Sequence, residues 1–170
     1  VLTDVLIETA RWAGVPEARR QEWRLAIREL IEEHLFRVEA PSLILRVSWG
    51  DEAVTLRFET GPGELVAAVD LPRAGGLDPW IEGYLDTCRR LSSLEGSGAS
   101  VLEIGKLDQA KRDAHDQAAR ELLAALTAVG PTHDTARRLF TLLVVLLADT
   151  TAIASLHRPH GPGVVVRLSS

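Results

Sequence analysis

From Leu43 to Thr60 the chain alternates between apolar and polar positions. In LILRVSW, Leu43, Leu45, Val47 and Trp49 share one face, while Arg46 and Ser48 share the other. After a Gly50-Asp51 turn, AVTLRFE repeats the pattern with Val54, Leu56 and Phe58. A period of two with one polar face predicts an antiparallel hairpin, one side on a core and the other in water. Beyond FETGPGEL, the run LVAAVDL (Leu65 to Leu71) forms a third strand.

Elsewhere the spacing is helical. Leu2 to Ala13 reads as a short helix ended by Gly14, and Pro16 suits the first turn of a second helix. That helix carries Trp23, Ile27, Leu30, Ile31, His34 and Val38 on one stripe and stops at Pro41. Pro72 to Pro79 is a loop. Trp80 to Leu94 is a helix with Ile81, Tyr84, Leu85, Cys88 and Leu91 inward. Gly96 to Gly98 breaks the chain, and Leu107 to Val129 forms another amphipathic helix. Thr132 or Asp134 caps a last one, running to about Leu156 and nearly all apolar from Leu139 to Leu147. Val164 to Leu168 closes as a short strand.

The order ααβββ-ααα-β predicts an α+β fold of two layers, a small and mostly antiparallel sheet of about three or four strands covered by helices. Residues 1–170 form one domain on this reading, with sub-parts at 1–95 and 107–170. The segments 14–49 and 130–169 echo one another as turn, helix and strand, and LILRVSW resembles VVVRLSS.

Composition narrows the function classes. The chain of 170 residues is 46% hydrophobic and 25% charged, as soluble globular proteins are. Its apolar runs are too short to span a bilayer, and no export signal opens it. The single cysteine, Cys88, excludes an internal disulfide and a cysteine-based zinc site, and the cytoplasm is the expected compartment. A net charge of −5 argues against broad, charge-driven nucleic-acid binding. Lys occurs only at 106 and 111, an Arg bias that suggests a GC-rich bacterial genome.

The stretch FETGPGEL admits two readings. Gly and Pro punctuate hairpins, so Gly61-Pro62-Gly63 between two strands is a turn. Alternatively it belongs to a site. The segment GVPEARRQEWRLAIRELIEEHL, the hairpin and ETGPG together resemble the amino-terminal half of the GHKL ATPase fold of histidine kinases and anti-sigma serine kinases, over roughly residues 14–107. The resemblance implies a nucleotide site of Glu29, Glu33, Glu59, Gly61 and Gly63, with Gly96 and Gly98 as a later phosphate-side turn. It implies ATP and Mg²⁺ as ligands. Glu33 stands where the family has a magnesium-binding Asn, and Glu59 where it has the adenine-binding Asp, so the implied scaffold is degenerate. Without the resemblance no cofactor is expected.

Three other groups carry chemistry-bearing residues. Asp113-Ala114-His115-Asp116-Gln117 resembles the helix around a sensor-kinase phosphoacceptor. It implies His115 as the phosphorylated nucleophile and Asp116 as its partner, against the plainer reading of a solvated His on an exposed helical face. His157 and His160 in HRPH lack acidic neighbours, and no metal site is expected. His34 reads as a core residue. The sequence holds no coherent nucleophile, base and acid. The expectation is therefore a non-catalytic regulatory or adaptor protein on a degenerate GHKL-like scaffold, binding a protein partner. The alternative is a dimeric α+β ligand-binding or chaperone-like module. A homo-oligomer would use the Leu139–Leu147 helix or a surface bearing one of Trp12, Trp23, Trp49 and Trp80. A continuous meander through Leu71 with a tight turn at Gly61 would favour the module, and a shared pocket of Glu33, Gly61 and Gly98 the ATPase scaffold.

Overall fold

The computed structural model describes residues 1–153 and Leu156. The elements are β1 (Leu2–Ile7), α1 (Thr9–Ala13), α2 (Glu17–Glu32), β2 (Leu43–Trp49), β3 (Ala53–Thr60), β4 (Leu65–Pro72), α3 (Asp78–Leu94), α4 (Val101–Ala125) and α5 (His133–Leu147). A wide turn, Arg73–Leu77, joins β4 to α3. The sheet order is β1-β2-β3-β4, with β1 parallel to β2 and the other pairs antiparallel. The fold is thus α+β around a mixed four-stranded sheet, and β2 to β4 form an uninterrupted meander.

The first element is a strand, not the expected helix. Leu2, Val5 and Ile7 are its buried residues, a spacing of three and then two. The spacing has a structural cause: pairing with β2 shifts register between Leu2 and Asp4, and Asp4 Oδ1 accepts the Val5 N–H at 2.8 Å. One extra residue in a strand converts an alternating pattern into one that mimics a helical period. Because β1 runs parallel to β2, the chain has to cross over, and α1 and α2 are that crossover.

The other differences concern helix ends. Helix α4 begins at Val101, not Leu107, because Ser100 and Glu103 form a reciprocal capping box. Helix α5 ends at Leu147, where Ala148 turns extended, well before Leu156. The expected strand at 164–168, and with it the repeat of the amino-terminal half, lies outside the described residues, as do His157 and His160.

One core joins sheet and helices. Leu45, Val54, Leu56 and Phe58 of the sheet are completely buried, as are Leu139, Phe140, Leu142, Leu143, Val144 and Val145 of α5. The apolar residues of α5 from Leu139 to Leu146 are therefore enclosed by its own chain. Trp23 ties α2 to α5, its indole N–H donating to the Val145 carbonyl at 2.8 Å. Arg19 of α2 reaches the Leu146 and Ala148 carbonyls at the open end of α5, both at 3.3 Å. Among the described residues no helix is long and apolar enough to cross a membrane.

His34 is a fastener, although it lies past the end of α2 at Glu32 and not on the expected helical stripe, and is only half-buried. Its Nδ1–H donates to the Ile31 carbonyl at 2.8 Å, which leaves Nε2 to accept the Leu2 N–H at 2.7 Å. The end of α2 is thereby tied to the start of β1. Replacing His34 with Leu keeps the bulk but orphans the Leu2 donor, and should cost about 1–3 kcal/mol in chemical denaturation. Loss of hydrogen-exchange protection should concentrate in β1.

Candidate functional site

The turn after β3 is a closed hairpin. Gly63 N–H donates to the Thr60 carbonyl at 2.8 Å, Thr60 N–H to the Glu64 carbonyl at 2.8 Å, and Gly63 has φ of 94°. At that φ glycine avoids the penalty any other residue would meet. Gly61 lies against β2: a Cβ there would stand 3.2 Å from Ser42 Oγ. The peptide groups that a phosphate cradle would need are spent on the turn.

The residues implied by the ATPase resemblance are dispersed. Glu29 is exposed on α2, and Glu33, just past its end, pairs with Arg138 of α5. Glu59 belongs to the opposite face of the sheet, because its neighbour Phe58 points into the core. Gly96 and Gly98 sit in the α3–α4 connection, and the first turn of α4 beyond them is capped by its own Ser100 and Glu103. The sheet separates Glu33 from Glu59, so no shared nucleotide pocket forms.

His115 is buried, only 7% exposed, rather than on a solvated face. It packs between Tyr84 and Phe140, at centroid distances of 5.2 and 5.6 Å. Nε2 lies 2.9 Å from the Arg137 carbonyl and 3.2 Å from Thr141 Oγ1. This placement keeps the ring from a phosphodonor. Burial also pushes the Tyr84 hydroxyl up from its ordinary value. Asp116 turns away from His115 to His133 and Arg137. Partial burial raises its carboxyl, but the His133 hydrogen bond and the Arg137 charge outweigh this and hold it below the usual range. Among the described residues no cluster of His, Cys, Asp and Glu could hold a metal ion.

A concave feature lies elsewhere, beside β1. A groove of about 770 Å³ runs between α1 and α2. Val5, Trp12, Ala13, Ile27 and Ile31 give it an apolar floor, and Arg20, Arg24 and Arg28 of α2 stand along one side, with Glu32 beyond them. Residues four apart share a helix face, so the arginines make a row about 12 Å long. Trp12 is held edge-on to Trp23 at 5.2 Å, and Arg24 lies 5.7 Å from its ring. Glu17 occupies part of the row, taking Arg24 at 2.8 Å and Arg20 at 2.9 Å. Arg28 has no ion-pair partner among the described residues. Sequence reasoning missed the groove because it treated β1 and α1 as one helix. The only signals were Trp12, already suspected as a partner surface, and the i, i+4, i+8 arginines.

Fold and surface together define a compact α+β protein with a groove at a βαβ crossover, and no assembled catalytic set among the described residues. The chain belongs to the UPF0262 family: the model of that uncharacterised protein family matches residues 1–149. It is similar to a UPF0262 protein of Novosphingobium aromaticivorans, 36% identical over 138 residues, which is 74% of this chain and 83% of the relative. No solved structure matches. The family match spans the whole stretch on which the GHKL resemblance rested, and it overturns that resemblance. The dispersed positions of Glu33, Glu59 and Gly98 give the physical reason.

Glu59 itself has a structural task. Its Oε2 accepts from Arg46 Nε at 2.8 Å, and its Oε1 lies 3.5 Å from Arg57 Nε. The Arg46 hydrogen bond, with both guanidinium charges, holds its carboxyl below the usual glutamate range. A depressed folded-state value means that the stabilisation is fully present above pH 4.5, the ordinary value, and is lost as pH falls through the folded one. Glu59→Gln lacks it at every pH. Denaturation midpoints of wild type and E59Q should therefore differ at pH 7, with the variant lower. The gap should close on acidification and shrink in roughly 1 M salt.

Proposed function

We propose that this is a non-catalytic regulatory or adaptor protein of the cytoplasm, which binds an acidic, amphipathic segment of a protein partner in the groove between α1 and α2. The observation that carries this reading is the pairing of an apolar floor with a row of arginines, Arg20, Arg24 and Arg28, in a chain whose net charge is −5. A negative chain selects against non-specific anions, while a local basic row offers a place for acidic side chains. Trp12 supplies a rigid apolar contact of the kind that anchors interfaces. The uninterrupted meander through Leu71 and the tight turn at Gly61 favour a second reading, an α+β ligand-binding or chaperone-like module using the same groove. Its dimeric form would use the surface that bears Trp12.

A photo-crosslinking residue at position 28, compared in cells with one at exposed Asp113, separates the readings. The adaptor reading expects position 28 to capture a single partner through a segment rich in Asp or Glu. The double variant Arg20→Glu, Arg24→Glu should lower the yield by roughly tenfold. Capture of many unrelated apolar segments points to the module, and capture of a second copy to its dimer. Equal yields at positions 28 and 113 would remove the groove from both.

A further inference from the structure

The other face of the sheet carries an arrangement that strand chemistry disfavours. The register of β2 against β3 sets Arg46 directly opposite Arg57. Both point away from the core, since Leu45, Val47, Leu56 and Phe58 point into it. Like charges directly opposite each other destabilise a strand pair. The pair is held by Glu59, whose side chain is only 12% exposed while the arginines above it are 51% and 47% exposed. One carboxylate beneath two guanidiniums leaves a net charge of +1.

Glu59 meets both arginines at Nε. The Nη ends of both guanidiniums have no partner among the described residues, so each planar fork is fixed at one edge and open at the other. Two further acids on this face do not pair with either arginine among the described residues. Asp70 accepts from Thr55 Oγ1 at 2.7 Å, and Asp4 from the Val5 N–H. Along the row across the sheet, Leu6 flanks Arg46 and Ala68 flanks Arg57. Arg57, Ala68 and Asp70 are exposed, so this part of the face is open.

We infer that the Arg46–Arg57 pair is a binding site for a phosphate monoester, with Glu59 as the positioning residue beneath it. Two forks with free Nη edges offer several N–H donors to one anion, which matches the three terminal oxygens of a monoester. Its charge of about −1.5 to −2 at neutral pH also exceeds what one further carboxylate would bring. A phosphodiester carries less charge per phosphate and offers only two terminal oxygens to the two forks. Leu6 beside Arg46 gives the organic part of a monoester an apolar contact. The site lies across the sheet from the groove and does not depend on what the groove binds.

The test is NMR of the arginine Nε–Hε signals during titration with inorganic phosphate and with phenyl phosphate, against sodium chloride at matched ionic strength. The signals of Arg46 and Arg57 should shift saturably with both phosphates and not with chloride. Phenyl phosphate should bind more tightly than inorganic phosphate. Affinity should fall roughly tenfold or more in Arg57→Gln and in Arg46→Gln, and stay unchanged in Arg90→Gln, at an exposed arginine of α3 that belongs to neither surface. It should also weaken below pH about 6, where the monoester takes up its second proton. The inference is overturned if chloride gives the same shifts, if both glutamine variants keep wild-type affinity, or if the groove arginines respond equally. Each glutamine variant removes a like-charge opposition, and its backbone spectrum checks that the fold is kept.

Discussion

Helix α5 has almost no polar side from Leu139 to Leu146, and a helix of that kind has to be enclosed. Much of the rest is arranged to enclose it. Helix α2 lies along one flank and donates the Trp23 indole N–H to the Val145 carbonyl. Helix α4 lies along another and places His115 on the Arg137 carbonyl. The ends are tied as well: Arg19 reaches the last carbonyls of α5, and Thr135 near its start receives the Leu35 N–H at 2.8 Å. Polar side chains that look available for chemistry in the sequence are thus committed to helix ends and backbone groups. His115 and His34 are both of this type.

The same enclosure decides which surfaces remain. The helices cover one side of the sheet, and the β1–β2 crossover leaves a concavity between α1 and α2 at the margin of that layer. The opposite side keeps the polar half of the strand alternation, with Arg46, Arg57, Thr55 and Asp70. The groove shares Val5, Ile27 and Ile31 with the core, and its Trp12 packs edge-on against Trp23.

The meander was legible because apolar and polar positions alternate along β2 and β3, and the bounds of both strands follow the pattern closely. The first strand was not, because a bulge near Asp4 shifts the buried positions to a helix-like spacing. The start of α4 was hidden for a different reason. The glycines at 96 and 98 look like breakers, yet Ser100 and Glu103 spell a capping box three residues apart, and the helix starts there despite an internal Gly105. The groove depended on the misread element and could not be seen. For FETGPGEL, the sequence placed Glu59 correctly at a strand end before a Gly-Pro-Gly turn. Only the register could say that its neighbours are Arg46 and Arg57 and not Glu33.

That register also gives the scarcity of lysine a structural meaning beyond base composition. Arg11 donates to the Trp49 carbonyl at 2.5 Å while lying 4.8 Å from the Trp49 ring, and Arg73 bonds both the Gly50 carbonyl and Asp78. Each uses different parts of one planar group at once. A lysine ammonium is a compact point charge on a flexible stem and has no second edge to offer. At Arg46 and Arg57 the difference is decisive. Glu59 can fix a guanidinium through Nε and leave Nη facing outward, whereas an ammonium drawn to Glu59 would be withdrawn from solvent altogether. Opposed arginines on an open sheet can therefore be stabilised by a carboxylate and still present positive charge. Opposed lysines could not do both.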